Sequence, residues 1–337
     1  MEFSEVISLY KDDLLRVEEE IRKNYASRIP LIPEISGYLM NGGGKRLRPL
    51  LVLLSANLCG GAARLRTVKH GCAIEYIHAA TLLHDDVVDA TTIRRGNETV
   101  NSKWGSDASI LVGDFLLSQS LILIAYDTDP RTIQAIAEAA KILVEGGMLE
   151  LSQARQLNIS EEHCLDIIYR KTASIISVSC RIGAILAEAD AAAEKRLIAF
   201  GNKLGVAFQL VDDVMDYDST EELLGKPVGT DFREGHVTLP LLHLYNQANP
   251  GLQREIEGFV KNEHLSQEEF DYILDRMRDA RVFDYTLDKV RDYIESAKAE
   301  ICRKEVFKLP EHVEELLAVT DYIIDRHVTG KPALYQA

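Results

Sequence analysis

Two segments of the chain repeat one acidic spacing. Asp85, Asp86 and Asp89 stand in LLHDDVVD, and Asp212, Asp213 and Asp216 stand in QLVDDVMD. Each set places carboxylates at i, i+1 and i+4. Residues four apart share a helix face, so Asp85 lies over Asp89 and Asp212 over Asp216, with the middle acid turned about 100° aside. The neighbours Thr81-Leu82-Leu83, Val87-Val88, Leu210-Val211 and Val214-Met215 are mostly apolar, unlike those of a solvated face. Two unit charges about 4 Å apart repel by roughly 4 kcal/mol at an effective dielectric of about 20. A proton or a bound cation relieves that repulsion. All-oxygen ligands suit a hard ion such as Mg²⁺, which combines one or two carboxylates with phosphate oxygens and water. A lone pentad of this kind reads as surface acid. Two copies, both bordered by apolar residues, read as a polyvalent clamp for a diphosphate.

A diphosphate also requires cations, and four groups offer them. Asn41-Gly42-Gly43-Gly44-Lys45-Arg46-Leu47-Arg48-Pro49 sets Lys45 and Arg48 behind a glycine run whose bare amides can approach an anion. The same run reads equally well as a helix-ending turn. Arg94 and Arg95 follow the first acidic set by about one and a half helical turns. Lys171-Thr172 lies mid-chain, and Gly225-Lys226-Pro227 follows the second set. Taken singly, Arg94-Arg95 and Lys171 are ordinary surface charge. Gathered in one acidic chain, they describe a site for two anionic substrates, with arginine suited to bidentate and lysine to point contacts.

The elements that position these groups are helices. Apolar residues recur at three- and four-residue steps over Thr132 to Leu157, Ala192 to Tyr217 and Gln267 to Glu300, and alternating strand patterns are scarce. Pro30, Pro33, Pro49, Pro130, Pro227 and Pro250 fall where helices are expected to stop. Leu31 to Pro33, Asp127 to Pro130 and Asn246 to Pro250 read as connections. The expectation is an all-α fold: one large helical domain over residues 1–337, built around a deep central cavity.

Composition narrows the class further. With 53 acidic against 38 basic side chains the net charge is −15, which argues against a nucleic-acid binder. Five scattered cysteines without a CxxC pair suggest a reducing, cytoplasmic setting rather than a disulfide or zinc framework. The acidic, amphipathic N-terminal run reads as neither signal nor transit peptide. Ser106 to Tyr126 is the most apolar stretch; Asp107, Gly113 and Asp114 within it favour a core helix over a membrane span. GxGxxG and Ser-His-Asp patterns are lacking, so neither redox nor acyl-transfer chemistry has support.

GGGKRLRP, IHAATLLHDDVVD, TTIRRG, LVGDFLLSQS, YRKTAS, FQLVDDVMDY and GKPVGTDFREGHVTLP, in this order, resemble the trans-isoprenyl diphosphate synthases. The match runs from about Gly42 to Leu242. The resemblance implies condensation of an allylic diphosphate with isopentenyl diphosphate, adding five carbons per cycle and releasing pyrophosphate, in an all-α bundle that is usually a homodimer. Asp85, Asp86, Asp89, Asp212, Asp213 and Asp216 would hold two to three Mg²⁺ ions, with Mn²⁺ an alternative. Lys171 would join Asp85, Asp86, Asp89, Asp212 and Asp213 in catalysis. Arg94, Lys171, Thr172, Gln209 and Lys226 would contact the allylic diphosphate, and Lys45, Arg48, His78 and Arg95 the isopentenyl diphosphate. Many relatives carry lysine where this chain has His236.

Chain length follows from what lies below the first acidic turn. Ala80 and Thr81 precede Asp85 by about one turn and are small, where similar enzymes that stop at fifteen carbons place bulky aromatics. The tail is expected to pass on toward Ile136, Ala137, Ala140 and Val144. Motif wording is closest to the medium- and long-chain branch, giving a product of about thirty to fifty carbons, with geranylgeranyl or farnesyl diphosphate as the alternative. A peripheral membrane contact would serve product release. A class-I terpene cyclase is disfavoured by the second complete DDxxD, and a non-catalytic isoprenoid-binding subunit by the completeness of both.

Overall fold

Helix boundaries follow local chemistry. Asp129 accepts a hydrogen bond from the Arg131 amide at 3.0 Å and Pro130 occupies the first helical position, opening a helix over Pro130–Gln153. Asp190 does the same for Ala193 at 2.8 Å, opening Ala191–Tyr217. The computed structural model describes residues 1–41, 46–94, 96–220, 227–262 and 265–329, with side chains to Arg326. Among these residues the helices are α1 (Phe3–Leu9), α2 (Lys11–Asn24), α3 (Leu31–Asn41), α4 (Leu47–Leu58), α5 (Arg64–Val88), α6 (Val100–Trp104), α7 (Ser106–Ile124), α8 (Pro130–Gln153) and α9 (Glu161–Ile168). They continue with α10 (Ser174–Leu186), α11 (Ala191–Tyr217), α12 (Thr230–Glu234), α13 (Leu239–Gln247), α14 (Pro250–Lys261), α15 (Gln267–Asp279), α16 (Val282–Ile301) and α17 (Val313–Thr329). The fold is all-α, as the periodicity predicts. The single sheet described is a two-residue hairpin, β1 (Ile93–Arg94) against β2 (Asn97–Glu98), antiparallel.

Three expectations about the elements are corrected. Prolines open helices here: Pro33 and Pro49 sit in the first turns of α3 and α4, and Pro130 and Pro250 lead α8 and α14. Amides of the first turn have no intrahelical partner, so proline loses nothing there. Gln267 to Glu300 is two helices, because Arg281 adopts a left-handed conformation at φ 53°. On α8, only part of the expected wall faces inward. Ile136 is buried and Ala140 half-buried, whereas Ala137 and Val144 point outward, since the buried stripe runs Ala135, Ile136, Ala139, Leu143, Gly146.

The main core is built by α4, α5, α10 and α11 with α2, α7, α8, α16 and α17 around them. A second cluster gathers Val214 and Tyr217 from the end of α11 with Phe232, Leu241, Ile256, Phe270, Met277 and Phe283. Helices α11 and α16 contribute to both, so the acidic end of α11 is fixed from two sides.

Helix α7 also departs from expectation. Ser109, Val112, Gly113, Leu116 and Ser120 are buried, and the Ser109 hydroxyl donates to Leu83 O of α5 at 2.9 Å. Yet Leu111, Leu121 and Ile122 are exposed, as are Val144, Met148 and Leu151 on α8. By length and composition α7 is apolar enough to cross a bilayer, and only 33% of it is buried. It is less a core helix than a helix with two apolar faces, one of them uncovered.

Candidate active site

The first acidic set sits at the C-terminal end of α5. Asp89 is the residue after the last turn, its amide still bonded to Asp85 O at 2.8 Å, so the two keep helical register. Asp86 turns the other way into the protein, 2% exposed. Ala90 then takes φ 52° and reverses the chain. Arg94 therefore returns through the hairpin, not through helical phase as the sequence spacing suggests, and donates to Asp86 Oδ1 from Nε at 2.9 Å and from the guanidinium tip at 2.8 Å. Asn101 pins the turn, donating to Asp86 O at 2.8 Å and Thr91 O at 3.1 Å.

The second set ends α11. Asp213 and Asp216 are 3% and 1% exposed, and the Asp231 amide donates to Asp216 Oδ2 at 3.1 Å. Asp212 is more open and receives Arg326 of α17 at 2.7 Å.

A π-helical segment, Tyr169–Ala173, lies between α9 and α10 and carries Lys171 and Thr172. Such single wide turns recur at functional sites because they shift the phase of neighbouring side chains. Two glycines admit it. A Cβ on Gly146 of α8 would lie 2.6 Å from Arg170 Cβ, and one on Gly205 of α11 would strike Ala173. From this segment Lys171 reaches toward the first acidic set, pairing with Glu150 of α8 and feeling the charges of Asp85 and Asp89. Thr172 reaches toward the second. Its hydroxyl donates to Gln209 Oε1 at 2.7 Å, and Gln209 Nε2 donates to Asp213 Oδ1 at 2.9 Å. Adjacent residues thus connect the two acidic turns.

Three acids outside the two pentads complete the ring. Glu150 lies 3.4 Å from His236 Nδ1, and His236 Nε2 is 3.9 Å from Asp89 and 3.6 Å from Glu234. Asp231 contributes its charge to both His236 and Asp213. His236 is placed by Gly235, which takes φ 89° after α12, while the His236 amide donates to Asp231 O at 2.8 Å. One signal for Glu150 is present in the sequence: it continues the buried stripe Leu143, Gly146 of α8, an acid where an apolar residue belongs.

Burial shapes the electrostatics. It pushes Asp85 and Asp86 above the usual carboxylate range, against the pull of Lys171 and Arg94. Asp89 is raised to about 6, by burial against His236 and Lys171. Asp213 is raised by full burial and by Asp231. Glu150 is buried too, yet the adjacent His236 at 3.4 Å and the charge of Lys171 bring it down to about 2. Burial opposes protonation of His236, but Glu150 and Glu234 hold it cationic, up to about 11. The site is therefore carboxylate-rich, with its internal cations already committed to acids. Buried oxygen donors of raised proton affinity suit a hard divalent cation, so the donor set fits one.

Of the other candidates, Arg48 is half-buried in the first turn of α4, and His78 half-buried on α5, against which α4 packs. Ala80 is fully buried and Thr81 half-buried, its hydroxyl turned to His78 O at 2.8 Å. Lys45, Arg95 and Lys226 lie outside the described residues. Arg46, between Lys45 and Arg48, has a different task from theirs. Left-handed at φ 46°, it pairs with Glu18 of α2, Glu75 of α5 at 2.8 Å and Met40 O at 2.8 Å, locking the start of α4.

Residues 29–277 match the family model described as polyprenyl synthetase. The chain belongs to the polyprenyl synthetase family. Among its polyprenyl synthetase relatives, octaprenyl diphosphate synthase of Haemophilus influenzae is 37% identical over 83% of this chain and 88% of its own. Heptaprenyl diphosphate synthase component 2 of Bacillus subtilis is 36% identical over 82% of this chain and 78% of its own. The solved polyprenyl synthase of Caulobacter crescentus CB15, complexed with calcium and isoprenyl diphosphate, superposes with a TM-score of 0.92 at 34% identity, covering 96% of this chain and 98% of that one.

Proposed function

We propose that this polyprenyl synthetase is a trans-prenyltransferase that lengthens an allylic diphosphate with successive isopentenyl diphosphate units to about thirty to fifty carbons. The observation that carries the reading is the link from Asp85 and Asp89 through Lys171 and Thr172 to Gln209 and Asp213, which gives one clamp from two acidic turns. In each cycle the bond from the allylic carbon to its diphosphate oxygen breaks. The terminal alkene carbon of isopentenyl diphosphate bonds to that carbon, and the condensed cation then gives up a proton to the released pyrophosphate. Two to three Mg²⁺ ions on the six aspartates would neutralise the departing diphosphate. Arg94, fixed on Asp86, and Lys171, fixed on Glu150, hold cations toward the clamp without reorganisation at the moment of reaction. Thr172 and Gln209 add directional hydrogen bonds. Arg48 and His78, with Lys45, are assigned to the second diphosphate. Ala80 and the apolar sides of α5 and α7 exclude water from the reacting carbons.

We assign the uncovered face of α7 and α8 to a second copy of the chain, since Leu111, Leu121, Ile122, Val144 and Met148 are too apolar to stay solvated together. A cytoplasmic location belongs to the same proposal and suits five free thiols. Incubation with Mg²⁺, farnesyl diphosphate and labelled isopentenyl diphosphate tests the function. A labelled polyprenyl diphosphate is expected; unlabelled hydrocarbon, or no turnover, overturns it.

A further inference from the structure

The ring around His236 is more than a neighbour of the aspartate clamp. Asp89 from the end of α5, Glu234 from the end of α12 and His236 just after it bring one ligand atom each within 4.8 Å of one another. Ligands at about 2.1 Å from a tetrahedral ion stand about 3.4 Å apart. The observed 3.9 Å and 3.6 Å from His236 Nε2 to Asp89 and Glu234 need only a few tenths of an ångström of closure. The other ring nitrogen, Nδ1, faces Glu150 Oε1 at 3.4 Å. A carboxylate behind the non-ligating nitrogen is what orients an imidazole for metal binding. Glu150 is in turn held by Lys171, and Glu234 accepts from the Thr91 hydroxyl at 3.2 Å. Two of the three ligands thus have a support, and they come from two segments: Asp89 from the end of α5, and Glu234 with His236 from the end of α12.

We propose that Asp89, Glu234 and His236 form a site for a first-row transition dication such as Zn²⁺ or Co²⁺, distinct in ligand chemistry from the all-oxygen aspartate clamp. Imidazole nitrogen prefers such ions, whereas Mg²⁺ takes oxygen and water. The surrounding charge favours a cation, and an arriving metal ion displaces the proton that Glu150 and Glu234 otherwise hold on His236. Asp85, Glu150 and Asp231 stand around the site, and the ammonium of Lys171 is spent on Glu150. Sharing Asp89 makes this ion a neighbour of the clamp, so its arrival withdraws one ligand from the six-aspartate set.

The test uses the full chain, freed of metal, titrated with Co²⁺ alone. Visible absorption gives affinity, and proton NMR shows whether an exchangeable imidazole N–H is paramagnetically shifted. The wild type is expected to show such a resonance. His236→Gln and His236→Lys are expected to lose it and to weaken Co²⁺ binding about tenfold or more. The lysine variant keeps a positive charge in the ring while removing the ligand, which separates ligation from charge. Thermal melts of both variants verify folding, and Glu234→Gln supplies a second loss of affinity should either be unstable. Unchanged Co²⁺ affinity in these variants, or no shifted imidazole in the wild type, overturns the proposal. Prenyl transfer with Mg²⁺ is measured on the same wild-type preparation. Product without a His236-dependent ion removes this inference alone, and the ion without product removes the prenyl-transfer reading alone.

Discussion

Arg326 of α17 donates to Asp212 of α11 at 2.7 Å, with its guanidinium 4.5 Å from the centre of the Phe208 ring. The last described side chain therefore neutralises one carboxylate of the second acidic turn. Arginine and a divalent cation compete for that carboxylate. Arg326→Gln is expected to lower the melting temperature in chelator, and to lower the Mg²⁺ concentration for half-maximal turnover several-fold. A melt in EDTA and a Mg²⁺ titration check this; an unchanged Mg²⁺ requirement argues that the pair is broken at no cost.

Asp89 supplies a pH prediction. Its proton affinity is raised by burial to about 6 from 3.8. A carboxyl raised on folding stabilises below its unfolded value, and that contribution is lost as pH climbs through about 6. At pH 8 the ionised acid costs the cation-free fold up to about 3 kcal/mol. Asp89→Asn should therefore stabilise the chelated protein at pH 8, leave it nearly unchanged at pH 4, and abolish turnover. Equal effects on stability at both pH values would count against the assignment.

Ala80 is fully buried one turn below Asp85. Ala80→Phe should stop elongation at about fifteen to twenty carbons, at a stability cost of about 1–3 kcal/mol for overpacking. Product mass spectrometry decides it, and a product of wild-type length would place the growing tail elsewhere.

Arg46 balances Glu18 and the nearly buried Glu75. Arg46→Met keeps the bulk and the same left-handed backbone cost but strands both acids. About 3 kcal/mol of stability should be lost in denaturant unfolding, with the affinity for isopentenyl diphosphate falling as the start of α4 loosens.

The uncovered apolar face predicts self-association. A dimer is the expected species of the wild type in sedimentation, and Leu111→Glu with Met148→Glu should leave monomer, since charges at both positions cannot be buried unpaired. A wild-type monomer at micromolar concentration would leave that face without its assigned partner.

Helical class and the two acidic turns were legible because both rest on spacing, and spacing survives folding. Asp85, Asp86 and Asp89 needed only the helical period. Arg94 could be named but not placed: its approach to Asp86 depends on a reversal at Ala90, a residue with no turn preference in its type. The break at Arg281 was hidden for the same reason. Arg326 and Glu234 were missed because their partners are brought close only by tertiary packing. Glu150 was missed although its place on the buried stripe of α8 announced it. Ala137 and Val144 were assigned to the cavity side of α8 because an outward stripe that is also apolar blurs the period.

The wide turn at Tyr169–Ala173 holds one more residue than an ordinary helical turn would need. Excising a single residue there should restore an ordinary helical turn and let both flanking helices pack as before, yet shift the side chains within the turn out of their present directions. Either Lys171 or Thr172 would then miss its acid. Insertions and deletions at this position are thus expected to yield well-folded but inert protein, making the length of the YRKTA stretch, as much as its composition, a fixed requirement of the machinery.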